Sequence, residues 1–172
     1  MAIYTDWYDF PEGDKFEKLP KTINNDFQRA TENPAMQRRP LPSDISLMIF
    51  DLSDVYAAKK DKADITKIIK DTLFELGNAA RKNEMYKRAL LSDDNFARYC
   101  ALFLLVSSKE QDFSFLLDVW EELSPDLKIS QILSEKNLIR GKTNGKFDKA
   151  IAIVEQLNQN QTNKFPRSRS RE

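Results

Sequence analysis

Apolar residues recur three and four positions apart through most of residues 43–157, a spacing that predicts a succession of amphipathic helices. Pro42-Ser43-Asp44 reads as a helix start, and Ile45, Leu47, Met48, Phe50, Leu52 and Val55 follow in a mostly apolar run. From Ala63 the pattern sharpens. Ile65, Ile68, Ile69, Thr72, Leu73 and Leu76 fall on one face, with Lys67, Lys70, Asp71 and Glu75 on the other. Gly77-Asn78 either bends this helix or is carried through it, and the spacing continues past Ala80 into a short helix with Met85, Tyr86, Ala89 and Leu90. Ser92-Asp93-Asp94 marks a fresh start. The segment Phe96–Val106 is apolar nearly all round, the mark of a central helix against which its neighbours pack. Phe113, Leu116, Leu117 and Trp120 form the next stripe. Ser124-Pro125-Asp126 ends it and opens another, with Leu127, Ile129, Ile132 and Leu133. Gly141 to Gly145 reads as a loop, and Phe147, Ala150, Ile151, Val154 and Leu157 supply a last stripe. No strand pair, hairpin signal or internal repeat interrupts the series. The expected fold is all-α: a single compact helical domain of five to seven helices over residues 43–157.

The flanks read differently. Residues 1–42 hold five of the seven prolines and sustain no periodicity, which predicts an extended arm. One short helix around Ile23–Thr31 relieves it, where Thr22 stands as a cap and Ile23, Phe27 and Ala30 recur at helical spacing. The arm opens on Thr5-Asp6-Trp7-Tyr8-Asp9-Phe10-Pro11. Rings in a segment too broken to build a core bury against another surface, either the chain's own helices or those of a partner. Trp7, Tyr8, Phe10 and Phe16 are therefore the candidate partner-binding residues, docking on a protein partner or on a second copy. At the other end, residues 158–172 open on a stretch with no apolar group, Asn158 to Asn163, and read as a short disordered basic tail.

Composition narrows the chemistry. The 172 residues carry 27 Lys and Arg against 27 Asp and Glu, so no global field steers the chain toward polyanions. The local balance is uneven: five acids against two lysines in residues 1–19, and nine basic side chains against three acids in residues 136–172. Histidine is absent and Cys100 is the single cysteine. That removes zinc sites built on Cys and His within one chain, and both Ser-His-Asp and Cys-His nucleophile arrangements. No intramolecular disulfide is available, which suits a reducing compartment, and Cys100 reads as a small buried apolar group. The N-terminus shows neither the basic nor the apolar region of a secretory signal. The longest strongly apolar stretch, about Ala101–Val106, is far short of the ~20 residues of a membrane helix. The expectation is a protein outside membranes, cytoplasmic or nuclear, with no cofactor or metal.

Three motifs have a plain structural reading. Gly141-Lys142-Thr143 matches the end of a phosphate-cradling loop, but Lys136 stands where that loop needs its first glycine, and a helix precedes it where a strand is required. Asp93-Asp94 and Glu121-Glu122 are adjacent acids, which point to different helix faces and fit caps or solvated surfaces better than acid–base catalysis. Arg81, Lys82, Lys87 and Arg88 around Tyr86 make a basic cluster beside an aromatic, a nucleic-acid-like surface that solvated helix ends also produce. The tail Lys164-Phe165-Pro166-Arg167-Ser168-Arg169-Ser170-Arg171 alternates guanidinium and hydroxyl groups, suited to phosphates and to kinases.

Two functions follow as expectations. The first is a non-enzymatic protein-interaction factor, an assembly or regulatory protein whose arm docks on a partner or a second copy. The alternative is a nucleic-acid-associated protein, of a viral or transcription-linked kind, that holds RNA with Lys142, Lys146, Lys149, Lys164, Arg167, Arg169 and Arg171.

Overall fold

The computed structural model describes residues 13–59, 62–135 and 145–164. Among them are eight α-helices: α1 (Gly13–Glu32), α2 (Pro42–Lys59), α3 (Ala63–Lys82), α4 (Glu84–Leu91), α5 (Asn95–Val106), α6 (Glu110–Leu123), α7 (Ile129–Leu133) and α8 (Lys146–Lys164). A 3-10 turn, Pro34–Met36, links α1 to the approach of α2. No described residue is in a strand.

Helix α5 is the axis of the fold, because its sequence is apolar nearly all round and every residue but Arg98 is buried. Helices α2, α3, α4, α6, α7 and α8 all pack on it. Polar groups inside this shell are paired, as burial requires. The Asn95 amide donates to the carbonyls of Pro42 (3.1 Å) and Ala89 (3.0 Å), and its oxygen accepts from the Ser46 hydroxyl (2.6 Å). One buried side chain thus ties the starts of α2 and α5 to the end of α4. The Tyr99 hydroxyl donates to the Leu73 carbonyl at 2.7 Å, fixing α5 on α3. It can approach because position 77 is glycine: a methyl group there would lie 2.5 Å from the Tyr99 oxygen. Gly77 is accordingly carried through α3 with no break. On the next flank, Phe115 of α6 stacks on Phe74 of α3, ring centres 4.2 Å apart, and reaches Phe103 of α5 at 5.9 Å. The Asp112 carboxylate receives Lys70 at 3.1 Å and the backbone N–H groups of Ser108 and Lys109, so one acid caps α6 and anchors it to α3.

The body from α2 to α8 holds seven helices; the eighth comes from the region expected to be an extended arm. Residues 13–32 form α1, far longer than the Ile23–Thr31 turn, and run through Pro20. Phe16, Leu19, Ile23 and Ala30 are buried and Phe27 is half-buried, a 3-4-4-3 spacing laid along α3. An interior proline costs a helix ~3 kcal/mol, whereas full burial of Phe, Leu and Ile side chains returns roughly 1.5–3 kcal/mol each, so packing wins over propensity. Asn24 donates to Glu75 of α3 at 2.8 Å and the Tyr86 hydroxyl of α4 donates to Asp26, so α1 is tied to both helices. The helices α1 and α3 run in the same sense, since Asn24 meets Glu75 while Gln37, past the end of α1, meets Asn83, past the end of α3.

The C-terminal tail differs in the same direction. Helix α8 continues from its apolar stripe through residues 158–164. Once a helix is nucleated, each added residue is nearly neutral, and no proline interrupts before Pro166. Residues 165–172, which hold most of the basic tail, lie outside the described residues.

Candidate functional site

Large apolar side chains left in water are unevenly placed. Among the described residues five are exposed: Met36 (60%), Leu41 (45%), Leu47 (52%), Phe50 (42%) and Ile153 (40%). Four of the five fall between residues 36 and 50, so this stretch, the approach to α2 and its outer face, is where apolar surface collects.

Its shape is held from below. The side chain of Asn83, at the α3–α4 corner, donates to the Gln37 side chain at 3.0 Å, and Gln37 in turn donates to the Arg39 carbonyl at 3.0 Å. The Asp44 carboxylate, itself buried, accepts the Arg39 guanidinium through Nε at 2.9 Å and through Nη2, and accepts the Leu41 N–H at 2.7 Å. A forked Arg–carboxylate pair with a third bond from the backbone fixes both geometry and charge. The 37–44 turn is thereby set while Met36 and Leu41 stay outward on either side of Arg38. The Arg38 guanidinium donates to the carbonyls of Ala35 and Gln37, at 3.2 Å each, and meets no carboxylate among the described residues. On α2 itself the core-facing positions are Ile45, Met48, Ile49, Leu52 and Tyr56. Leu47 and Phe50, three apart, share the opposite face. Arg98 of α5 lies over the Phe50 ring at 5.2 Å and pairs with Glu135 at 3.0 Å and Asp94 at 3.7 Å. The stretch therefore offers exposed apolar groups beside the guanidinium groups of Arg38, Arg39 and Arg98, of which Arg39 and Arg98 are paired with acids and Arg38 meets none among the described residues.

The residues expected from the sequence are placed as follows. Trp7, Tyr8 and Phe10 lie outside the described residues. Phe16 is buried on α1 and belongs to the core, so its ring serves the chain's own fold. Lys142, Arg167, Arg169 and Arg171 lie outside the described residues, as does Gly141-Lys142-Thr143. Lys146 and Lys164 are the first and last residues of α8, and Lys149 is exposed in its first turn. In the basic cluster of α3 and α4, Tyr86 is fully buried and bonded to Asp26, hence not presented for stacking. Arg81 pairs with Glu122 at 2.5 Å and lies 5.8 Å over Phe115, and Arg88 faces Glu84 at 3.9 Å. Of the adjacent acids, Asp94 turns to Arg98 and Glu122 to Arg81, while Asp93 adopts the left-handed conformation at the α4–α5 corner, φ 53°.

A shallow hollow runs along α6, lined by Lys109, Glu110, Gln111, Ser114, Phe115 and Asp118 and open to solvent. No three Cys, Asp or Glu side chains gather for a metal among the described residues, and no described helix is long and apolar enough to cross a membrane. The signal for the 36–50 stretch was present in the sequence, where Leu47 and Phe50 break the α2 core spacing. It was hidden because a mostly apolar run reads as buried all round.

The fold and this surface define an all-α protein organised on one buried helix, with a preset apolar stretch at the head of α2. Compared with protein-family models, curated proteins and solved structures, the chain matches none.

Proposed function

We propose that the protein is a non-enzymatic interaction factor, an assembly or regulatory component that holds a protein partner on residues 36–50. The observation that supports this is the concentration there of four of the five exposed large apolar side chains found among the described residues. Single exposed leucines are ordinary, whereas several large apolar groups exposed along one short stretch point to a contact surface. Arginine beside an aromatic adds to the reading, because both are over-represented at the energetic centres of interfaces. The hydrogen bonds of Gln37, Arg39 and Asp44 hold the turn before any partner arrives, which lowers the ordering cost of binding.

A photo-activated cross-linking side chain placed at Leu47 in the full chain tests this. Expressed in the cell of origin, it should give discrete protein adducts, while the same group at Asp118 on α6, also exposed, gives few. Equal adduct yields at the two positions would sink the reading.

A further inference from the structure

We propose that the occupant of the 36–50 stretch is the N-terminal aromatic segment of a second copy of this chain. The inference rests on the reading of that stretch as a contact surface and names its partner.

Chemistry matches the two. Residues 1–12 carry Tyr4, Trp7, Tyr8 and Phe10 together with Asp6, Asp9 and Glu12, and no Lys or Arg. Residues 36–41 carry exposed Met36 and Leu41 on either side of Arg38, and no acid. Rings flanked by carboxylates thus meet apolar groups flanked by a guanidinium that faces no carboxylate among the described residues. Trp and Tyr faces are also good platforms for Arg, and a thioether such as that of Met36 packs well on rings.

Reach decides between the chain's own arm and that of another copy. Helix α1 holds 20 residues, about 30 Å at 1.5 Å per residue, and the Pro34–Met36 turn follows directly at its far end. An extended chain covers at most ~3.6 Å per residue, so measured from Gly13 Phe10 stays within about 11 Å, Tyr8 within about 18 Å and Trp7 within about 22 Å. The backbone at Phe10, Tyr8 and Trp7 therefore falls short of the Pro34–Met36 turn at the far end of their own α1. A second copy has no such tether. Because each copy presents one arm and one stretch, a two-fold pair exchanges both arms and closes on itself, leaving no unpaired end to propagate a fibre. The second arm then docks at high effective concentration, which raises the overall affinity without a further contact.

Sedimentation equilibrium of the full chain over two decades of concentration tests this with two variants. Arg38→Glu should weaken dimerisation at least about tenfold, and the pair Asp6→Lys with Asp9→Lys should do the same. An equimolar mixture of the two variants should associate about as well as the parent. In the mixed pair each lysine-bearing arm meets the glutamate introduced in the other variant, and each acidic arm meets an unaltered Arg38. Residue 38 lies outside the core and residues 6 and 9 precede α1, so the helical circular-dichroism signal should be unchanged in both. A parent that stays monomeric, a dimer that neither variant weakens, or a mixture that fails to recover would each overturn the proposal. A monomer that still cross-links from Leu47 to a different protein would remove the second copy and leave the contact surface standing.

Discussion

At the scale of single residues, the position most exacting in its demands is Gly77. In an exposed helix interior Gly→Ala stabilises by roughly 0.5–1 kcal/mol. Here the added methyl meets the Tyr99 oxygen at 2.5 Å and the Phe115 ring at 3.2 Å, so it must displace a phenol already bonded to the Leu73 carbonyl. Overpacking of this kind costs about 1–3 kcal/mol, larger than the propensity gain, and the expected sign is destabilising. A lower urea midpoint for Gly77→Ala with unchanged slope would bear this out; a higher midpoint would show that α3 and α5 part without penalty. Asn95 makes the complementary point. Its three hydrogen bonds join three helices, yet in the sequence it follows Asp93-Asp94 and looks like one more polar residue at a helix start. Nothing local distinguishes an asparagine that caps from one that serves as a buried junction.

Among elements, α1 was the least legible and α5 the most. The run Phe96–Val106 is apolar nearly all round, which suits a central position, and the structure buries all of it but Arg98. In α1 the stripe Phe16, Leu19, Ile23, Phe27 and Ala30 is equally regular, but Pro20 sits inside it and four more prolines surround it, which argues locally for an extended chain. The missing information was the long-range face of α3. Pro20 leaves the Phe16 carbonyl without its helical N–H, a defect that can be repaired. Pro20→Ala restores the bond and should stabilise the protein by about 1–2 kcal/mol, after subtraction of the ~1 kcal/mol by which proline restricts the unfolded chain. Hydrogen exchange should slow in α1 more than in α5. No slowing there would mean that the helix already bends around the proline at no cost. The 36–50 stretch was only half legible: Leu47 and Phe50 were visible as apolar residues, but which face of α2 the core takes depends on α3, α4 and α5.

For the molecule as a whole, the buried pair Tyr99 and Cys100 sets an alkaline limit. Burial pushes the Tyr99 phenol well above its ordinary value, with Cys100 adding to the rise and Arg81 opposing it, and burial alone pushes the Cys100 thiol up. Both groups stay protonated in the folded state at a pH where the unfolded chain has begun to ionise. Their contribution is therefore complete below the unfolded values and declines as pH rises past them, from about pH 8.5 for the thiol and about pH 10 for the phenol. Urea midpoints measured under reductant at pH 7.5, 9 and 10 should fall, and Cys100→Ala should flatten the part of the decline below about pH 10. A parent curve level to pH 10 would show that the thiol is not held neutral. The parallel seam of α1 on α3 bears, finally, on how the chain is made. Asn24 waits for a partner in α3, 51 residues downstream, and Asp26 for one in α4, 60 residues downstream. At about 5–20 residues per second, the stripe of α1 spends roughly 3–12 s on the ribosome with nothing to cover it, an interval in which a nascent-chain chaperone has an apolar segment to hold.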